Sequence, residues 1–286
     1  DLALTHFANK LFKDGELANE GDKLKAAFEA VYPNYSRSGT LHLPIFSRSL
    51  KGWRKKAPGQ TRMPLPEECL DAISVELISA VGVEAALHIQ LGFSAYLRPS
   101  ENIGLAVGDL IAPIAAGAEH NKHYSLILAP FERGHTTKTN AFDEAILLDD
   151  ARAPWLGPAL WKLRAYRIEA LRRSGMGMEE IMSAPLWSTS KEVFLESFRT
   201  AARKLELLWL ASTLYVLRHG GASRDTLAGT RSLQEVMRRG RWAHLDSVKH
   251  YEKHARVAWI LHRVGESTIR MGKEARETFR LQFRDF

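Results

Sequence analysis

Three segments follow one another near the C-terminal end of the chain: Tyr215-Val-Leu-Arg218-His219-Gly-Gly, Arg238-Arg239-Gly240-Arg241-Trp242 and Ser247-Val-Lys-His-Tyr251. Far upstream, Arg98-Pro-Ser-Glu101 places an acid three residues after an arginine, and Lys138 sits in Arg133-Gly-His-Thr-Thr-Lys138-Thr-Asn between two strand-like runs. These residue types suit the chemistry of a phosphodiester. Its non-bridging oxygens carry negative charge that grows in a pentavalent transition state, and two arginines offer forked N–H donors that stay charged at any working pH. A tyrosine phenol, with a pKa of about 10, becomes a nucleophile when an acceptor or nearby positive charge assists it. A lysine ammonium can protonate a departing oxygen, and an indole N–H can donate to a phosphate oxygen.

Boxes of this kind in this order resemble the catalytic region of the tyrosine recombinase, or phage integrase, family over residues 66 to 256. The resemblance implies that Arg98 and Arg218 stabilise the scissile phosphate, with Glu101 orienting the cationic groups. It implies Tyr251 as the nucleophile, giving a 3′-phosphotyrosine and a free 5′-hydroxyl, and Lys138 as the general acid for the leaving oxygen. Trp242, nine residues before Tyr251, stands where the family carries His or Trp. One position departs from the pattern: the second arginine box usually reads His-x-x-Arg, and here Tyr215 occupies its first place. A phenol can still hydrogen-bond a phosphate oxygen, but near neutral pH it is a much poorer proton acceptor than an imidazole. His219 is not read as its substitute, because successive helical residues point about 100° apart. The phosphotyrosine keeps the energy of the broken bond, so no cofactor is expected.

Residues so far apart in sequence need a fold that converges them. The chain has 286 residues, 45% of them hydrophobic, which is enough for two packed cores. Forty Lys and Arg against 33 Asp and Glu give a net charge of +7 and a pI near 9.5, favouring an anionic partner. The single cysteine, Cys69, excludes an internal disulfide framework and a cysteine-rich zinc site, and fits a reducing compartment. No run of eighteen apolar residues and no secretion pattern is present, so no membrane partner is expected. The chain begins at Asp1 rather than Met, which leaves open that it is a fragment.

Helical spacing of Leu24, Ala27, Phe28 and Val31 predicts a helix before Pro33-Asn34, and a second is predicted from Ile45 to Lys56. Between Pro44 and Pro66 there is no acid, while Arg48, Lys51, Arg54, Lys55, Lys56 and Arg62 surround Trp53. That segment reads either as a strip lying along a DNA backbone or as a solvated helix face and linker. Arg241 is also assigned to DNA. The prolines and glycine of residues 57–66 oppose a helix and mark a domain boundary. Beyond it, helices are predicted at Glu67–Val81, Glu84–Tyr96, Trp155–Arg173 and Lys191–Leu208. Short strands are predicted at Asp109–Ile114, His123–Leu128 and Ala145–Leu148. After Tyr251, Val257, Ile260, Leu261 and Val264 share a helical face, and the tail they begin can dock on a neighbouring subunit or on its own domain.

The expected fold class is therefore mixed α+β and mostly helical. The resemblance implies that residues 1–62 form a helical DNA-clamping (core-binding) domain with a basic linker, and that residues 63–286 form a catalytic domain with a small antiparallel sheet. The resemblance further implies double-stranded DNA as partner, a tetramer on paired sites and an intracellular setting. A type IB topoisomerase and a recombinase-derived DNA-binding protein without catalysis remain alternatives. His250 and His254 have i, i+4 spacing, but the zinc-protease pattern needs Glu directly after the first, where Tyr251 stands, so no metal site is assigned. Gly220-Gly221 is too short to be a phosphate-binding loop.

Overall fold

A computed structural model of the chain describes residues 1–58, 63–114, 122–134, 136–137, 141–249 and 251–283. The chain divides into two compact units, Asp1–Thr61 and Arg62–Phe286.

The first unit contains α1 (Leu2–Lys13), α2 (Ala18–Val31) and α3 (Pro44–Lys56). Phe46, Leu50 and Trp53, spaced at i, i+4 and i+7, bury one face of α3 against Ala8 and the partly buried Phe12, Leu24 and Phe28. A Cβ on Gly21 would lie 2.4 Å from Leu50 Cδ2 and 3.0 Å from Trp53 Cζ3, so a larger residue there would force these side chains to shift. The Asp1 carboxylate accepts the Ile45 and Phe46 amides at 3.0 and 2.9 Å, satisfying donors that the start of α3 leaves unpaired. Arg48, Lys51, Arg54, Lys55 and Lys56 are exposed, with Arg54 paired to Asp22. The buried face of α2 differs from the predicted one. Leu24 and Phe28 turn inward with Gly21, whereas Ala27 is exposed and Val31 is 69% exposed in the last turn.

The second unit opens with α4 (Glu67–Val81), α5 (Val83–Ser94) and the short α6 (Pro99–Ile103). Every residue of α5 from Ala85 to Ser94 is buried, so this helix runs through the core. Strands β1 (Leu110–Ile111), β2 (Ser125–Leu128) and β3 (Glu144–Leu147) follow as an antiparallel sheet in the order β1-β2-β3. Leu110 pairs with Leu126, and Leu126 with Ile146, so one face of the sheet carries apolar residues into the core. The first strand is shorter than predicted. The Asp109 carboxylate accepts the Ala106 amide at 2.8 Å and pairs with Arg133, holding Asp109 in a tight helical turn ahead of the strand.

The remaining helices are α7 (Leu156–Arg173), α8 (Met178–Ser183), α9 (Lys191–Lys204), α10 (Tyr215–Ala228), α11 (Leu233–Gly240), α12 (Asp246–Lys249), α13 (His254–Arg263) and α14 (Glu266–Gln282). Helix α9 stops before Leu208 because Glu206 takes a left-handed conformation at φ 58°. The C-terminal helix lies on its own unit. A Cβ on Gly272 of α14 would come 2.0 Å from the Glu68 carbonyl oxygen of α4. Arg276 pairs with Asp71 at 2.9 Å and Glu67 at 3.0 Å, and Phe283 stacks on Trp155 at 4.4 Å. Cys69 is buried in α4, and burial pushes its thiol up to about 12.

Candidate active site

Two adjacent glycines place α10. A Cβ on Gly221 would lie 1.9 Å from the Phe93 carbonyl oxygen, and one on Gly220 would lie 2.5 Å from the Leu65 carbonyl oxygen. Helix α10 therefore lies directly on the end of α5, which explains the glycine pair as a packing device. One turn earlier, Arg218 is only 2% exposed. Its Nη1 donates to the Tyr96 carbonyl at 2.5 Å, its Nη2 donates to the Gly240 carbonyl, and its Cζ lies 4.4 Å from the centre of the Trp242 ring. Burial, with help from Arg241 and Arg98, brings its pKa down to about 10, which still leaves it charged at neutral pH. Both turns that hold Arg218 use non-glycine residues in left-handed backbone, Tyr96 at φ 49° and Arg241 at φ 54°. Conformations of this kind persist where surrounding structure enforces them, and they cluster at functional sites.

Arg98 comes to the same place from α6. It caps that helix, with Pro99 at the first helical position, and the Glu101 carboxylate accepts the Arg98 amide at 2.7 Å while also pairing with its guanidinium. The short helix is fixed from behind. Asn102 Nδ2 donates to the His88 carbonyl at 2.8 Å, and the Trp187 indole donates to the Asn102 carbonyl at 2.7 Å. A cavity of about 290 Å³ opens beside it, lined by Arg98, Glu101, Asp109, Arg133, Thr136 and Thr137.

The aromatic wall is built on Gly240. A Cβ there would lie 1.8 Å from Trp242 Cζ3, so the indole folds back over the end of α11. Tyr251, beyond α12, is 6% exposed, and its ring centre lies 4.9 Å from that of Trp242. His219 belongs to this wall, although its helical direction argues against it as a partner of Arg218. Its ring stacks on Tyr251 at 5.3 Å and lies 5.5 Å from Tyr215. The 100° turn between Arg218 and His219 lets one reach inward to Gly240 while the other meets a phenol arriving from a different segment.

Arg241 lies in the same cluster, its side chain 6% exposed, pairing with Glu101 and lying 3.4 Å from Glu144 of β3. Lys138 lies outside the described residues, as do Arg62 and His250. Sequence reading missed the ion-pair network underneath. Arg239 of α11 donates to the Ser94 and Leu147 carbonyls, each at 3.0 Å, and pairs with Asp149 at 2.8 Å. Arg231 also engages Asp149, and Arg224 engages Asp150 and Glu67. This network ties α10 and α11 to α4, the end of α5 and the segment after β3. Among the described residues, no group of three or more His, Cys, Asp or Glu side chains is arranged to hold a metal ion.

Among solved structures, the chain is similar to the Tn1549 transposon integrase in complex with transposon right end DNA. The TM-score is 0.56 at 15% identity, covering 91% of this chain and 84% of the other. The same integrase in complex with circular intermediate DNA gives 0.54 at 17% identity, covering 89% and 83% of the two chains. No family model and no curated protein matches the sequence. The chain has a tyrosine recombinase fold, mostly helical with a small three-stranded antiparallel sheet.

Proposed function

We propose that the chain is a site-specific DNA recombinase that cuts and rejoins strands through a 3′-phosphotyrosine on Tyr251. The observation that carries this reading is the setting of Arg218. It is a buried guanidinium held by the carbonyls of Tyr96 and Gly240 and covered by Trp242, with the Tyr251 ring against the same indole. Arg98 reaches the same neighbourhood through Glu101 and Arg241. A phosphate entering beside these arginines would meet fixed positive charge that need not reorganise as the transition state forms. The phenol oxygen of Tyr251 attacks phosphorus, its proton leaves to an acceptor, and the P–O bond to the 5′-oxygen breaks as Lys138 donates a proton there. Attack by a 5′-hydroxyl from another strand reverses the step, so strands rejoin with no nucleotide consumed.

Double-stranded DNA is the partner in this reading, and two duplexes held by a tetramer give the strands to exchange. The first unit would contribute its exposed cations on α3 to the DNA backbone. The test is to incubate the protein with nicked duplexes carrying candidate sites, without added metal, and resolve the products on a denaturing gel. A covalent protein–DNA band lost in Tyr251→Phe supports the reading. Site-specific binding with no band in the wild-type chain shifts it to a DNA-binding protein without catalysis. Relaxation of supercoils without pairing of two sites shifts it to topoisomerase chemistry.

A further inference from the structure

Arg241 occupies a position where its residue type is unexpected on three counts. Its backbone, at φ 54° and ψ 46° at the C-terminal end of α11, is the left-handed conformation in which glycine is the default. Its side chain is 6% exposed although it carries a charge, a state that persists only when the charge is paired. Its partners are remote in sequence: Glu101, 140 residues away, and Glu144 at 3.4 Å. One arginine thus ties together the end of α11, the α6 turn and strand β3.

The decisive feature is the shared carboxylate. Glu101 already engages Arg98, accepting its backbone amide at 2.7 Å with Oε2 and pairing Oε1 with its guanidinium. Left with Arg98 alone, this carboxylate would cancel most of the positive charge that Arg98 could offer to a phosphate. Arg241 pairs with the same Oε2, so the guanidiniums of Arg98, Arg241 and Arg218 face two carboxylates, Glu101 and Glu144, and net positive charge remains at the site. Its field is also felt at Arg218, whose pKa falls through burial first and then through Arg241 and Arg98.

We propose that Arg241 is a positioning residue that neutralises Glu101 and so leaves the Arg98 guanidinium available to a DNA phosphate. The inference rests on the recombinase reading above, and it acts through Glu101 rather than by touching DNA. Arg241→Gly is the informative variant, because glycine suits the backbone and only the side chain is removed.

In single-turnover cleavage of a nicked duplex at saturating protein, Arg241→Gly should be slower by roughly tenfold or more, as for coupled members of one ion-pair network. Adding Glu101→Gln should restore most of that rate, since it removes the carboxylate Arg241 had neutralised. If Arg241 acted only by packing, or by binding phosphate directly, the second change would gain nothing. Wild-type cleavage with an unslowed Arg241→Gly, or a double variant no faster than the single one, overturns the inference alone. Absence of cleavage by the wild-type chain on a site it binds overturns the recombinase reading and this inference with it. Should Arg241→Gly fail to fold, Arg241→Lys compared with Arg241→Gln decides the question, because only lysine keeps the charge. Equal rates for those two would count against the inference.

Discussion

Replacing Gly221 by alanine tests how the fold transmits position to the site. The added Cβ would sit 1.9 Å from the Phe93 carbonyl oxygen and 2.9 Å from Tyr96 Cδ1, where ordinary contact begins at 3.4 Å. The obstacle at Phe93 is backbone, so no rotamer change relieves it. Helix α10 must move off α5 by about 1.5 Å, or the two helices must deform, and overpacking of this sort costs about 1–3 kcal/mol. At a urea slope of about 2 kcal/mol per molar, a loss of about 2 kcal/mol lowers the denaturation midpoint by about 1 M. Function should suffer more than stability. Arg218 rides on α10, and a misplacement of about 1 Å in a catalytic array can reduce rate about 100-fold. Urea denaturation followed by fluorescence, paired with single-turnover cleavage of a nicked duplex, measures both effects. A Gly221→Ala protein with the wild-type midpoint and wild-type rate would refute the proposed packing of α10 on α5 as the device that sets Arg218.

Two further perturbations probe other parts of the molecule. Burial raises the pKa of Asp71 to about 6 despite Arg276 and Gln90, so its folded form holds a proton more tightly than the unfolded chain does. Stability is therefore greatest below the unfolded value of 3.8 and falls as pH rises through about 6. Asp71→Asn removes the titrating group and should flatten the fall in stability between pH 4 and pH 7. Thermal melts from pH 4 to pH 7 read this, and a variant that keeps the wild-type slope would show that Asp71 is not its source. In the first unit, Lys51→Ala with Lys55→Ala removes two exposed cations from α3. Binding should weaken across DNA sequences, and the slope of log affinity against log salt should shrink by about 0.9 for each phosphate no longer neutralised. An unchanged slope removes α3 from the DNA interface.

Local signals carried the regular parts of the fold. The run Glu67–Val81 ends at Val81 because Gly82 follows at φ 105°, and the sequence shows both the apolar spacing and the glycine. Strand β1 was harder to read, because Asp109 is drawn out of it by its bonds to Ala106 and Arg133, which depend on the folded turn. The site divides in the same way. Arg218, Trp242 and Tyr251 are close enough in sequence for their spacing to be informative, and the structure brings their side chains together. The place of Arg241 depends on Glu101 and Glu144, and that of His219 on a ring delivered by the segment beyond α12. A helical wheel describes directions around one helix and carries no information about what arrives from outside it.

Two phenols, Tyr215 and Tyr251, flank His219, and the covalent bond is proposed to form on the second. Mass spectrometry of peptides from the trapped protein–DNA complex, after nuclease digestion, tests that assignment most directly. The expected result is a nucleotide phosphate attached to Tyr251 and none on Tyr215. An adduct on Tyr215, or on any residue other than Tyr251, would contradict it.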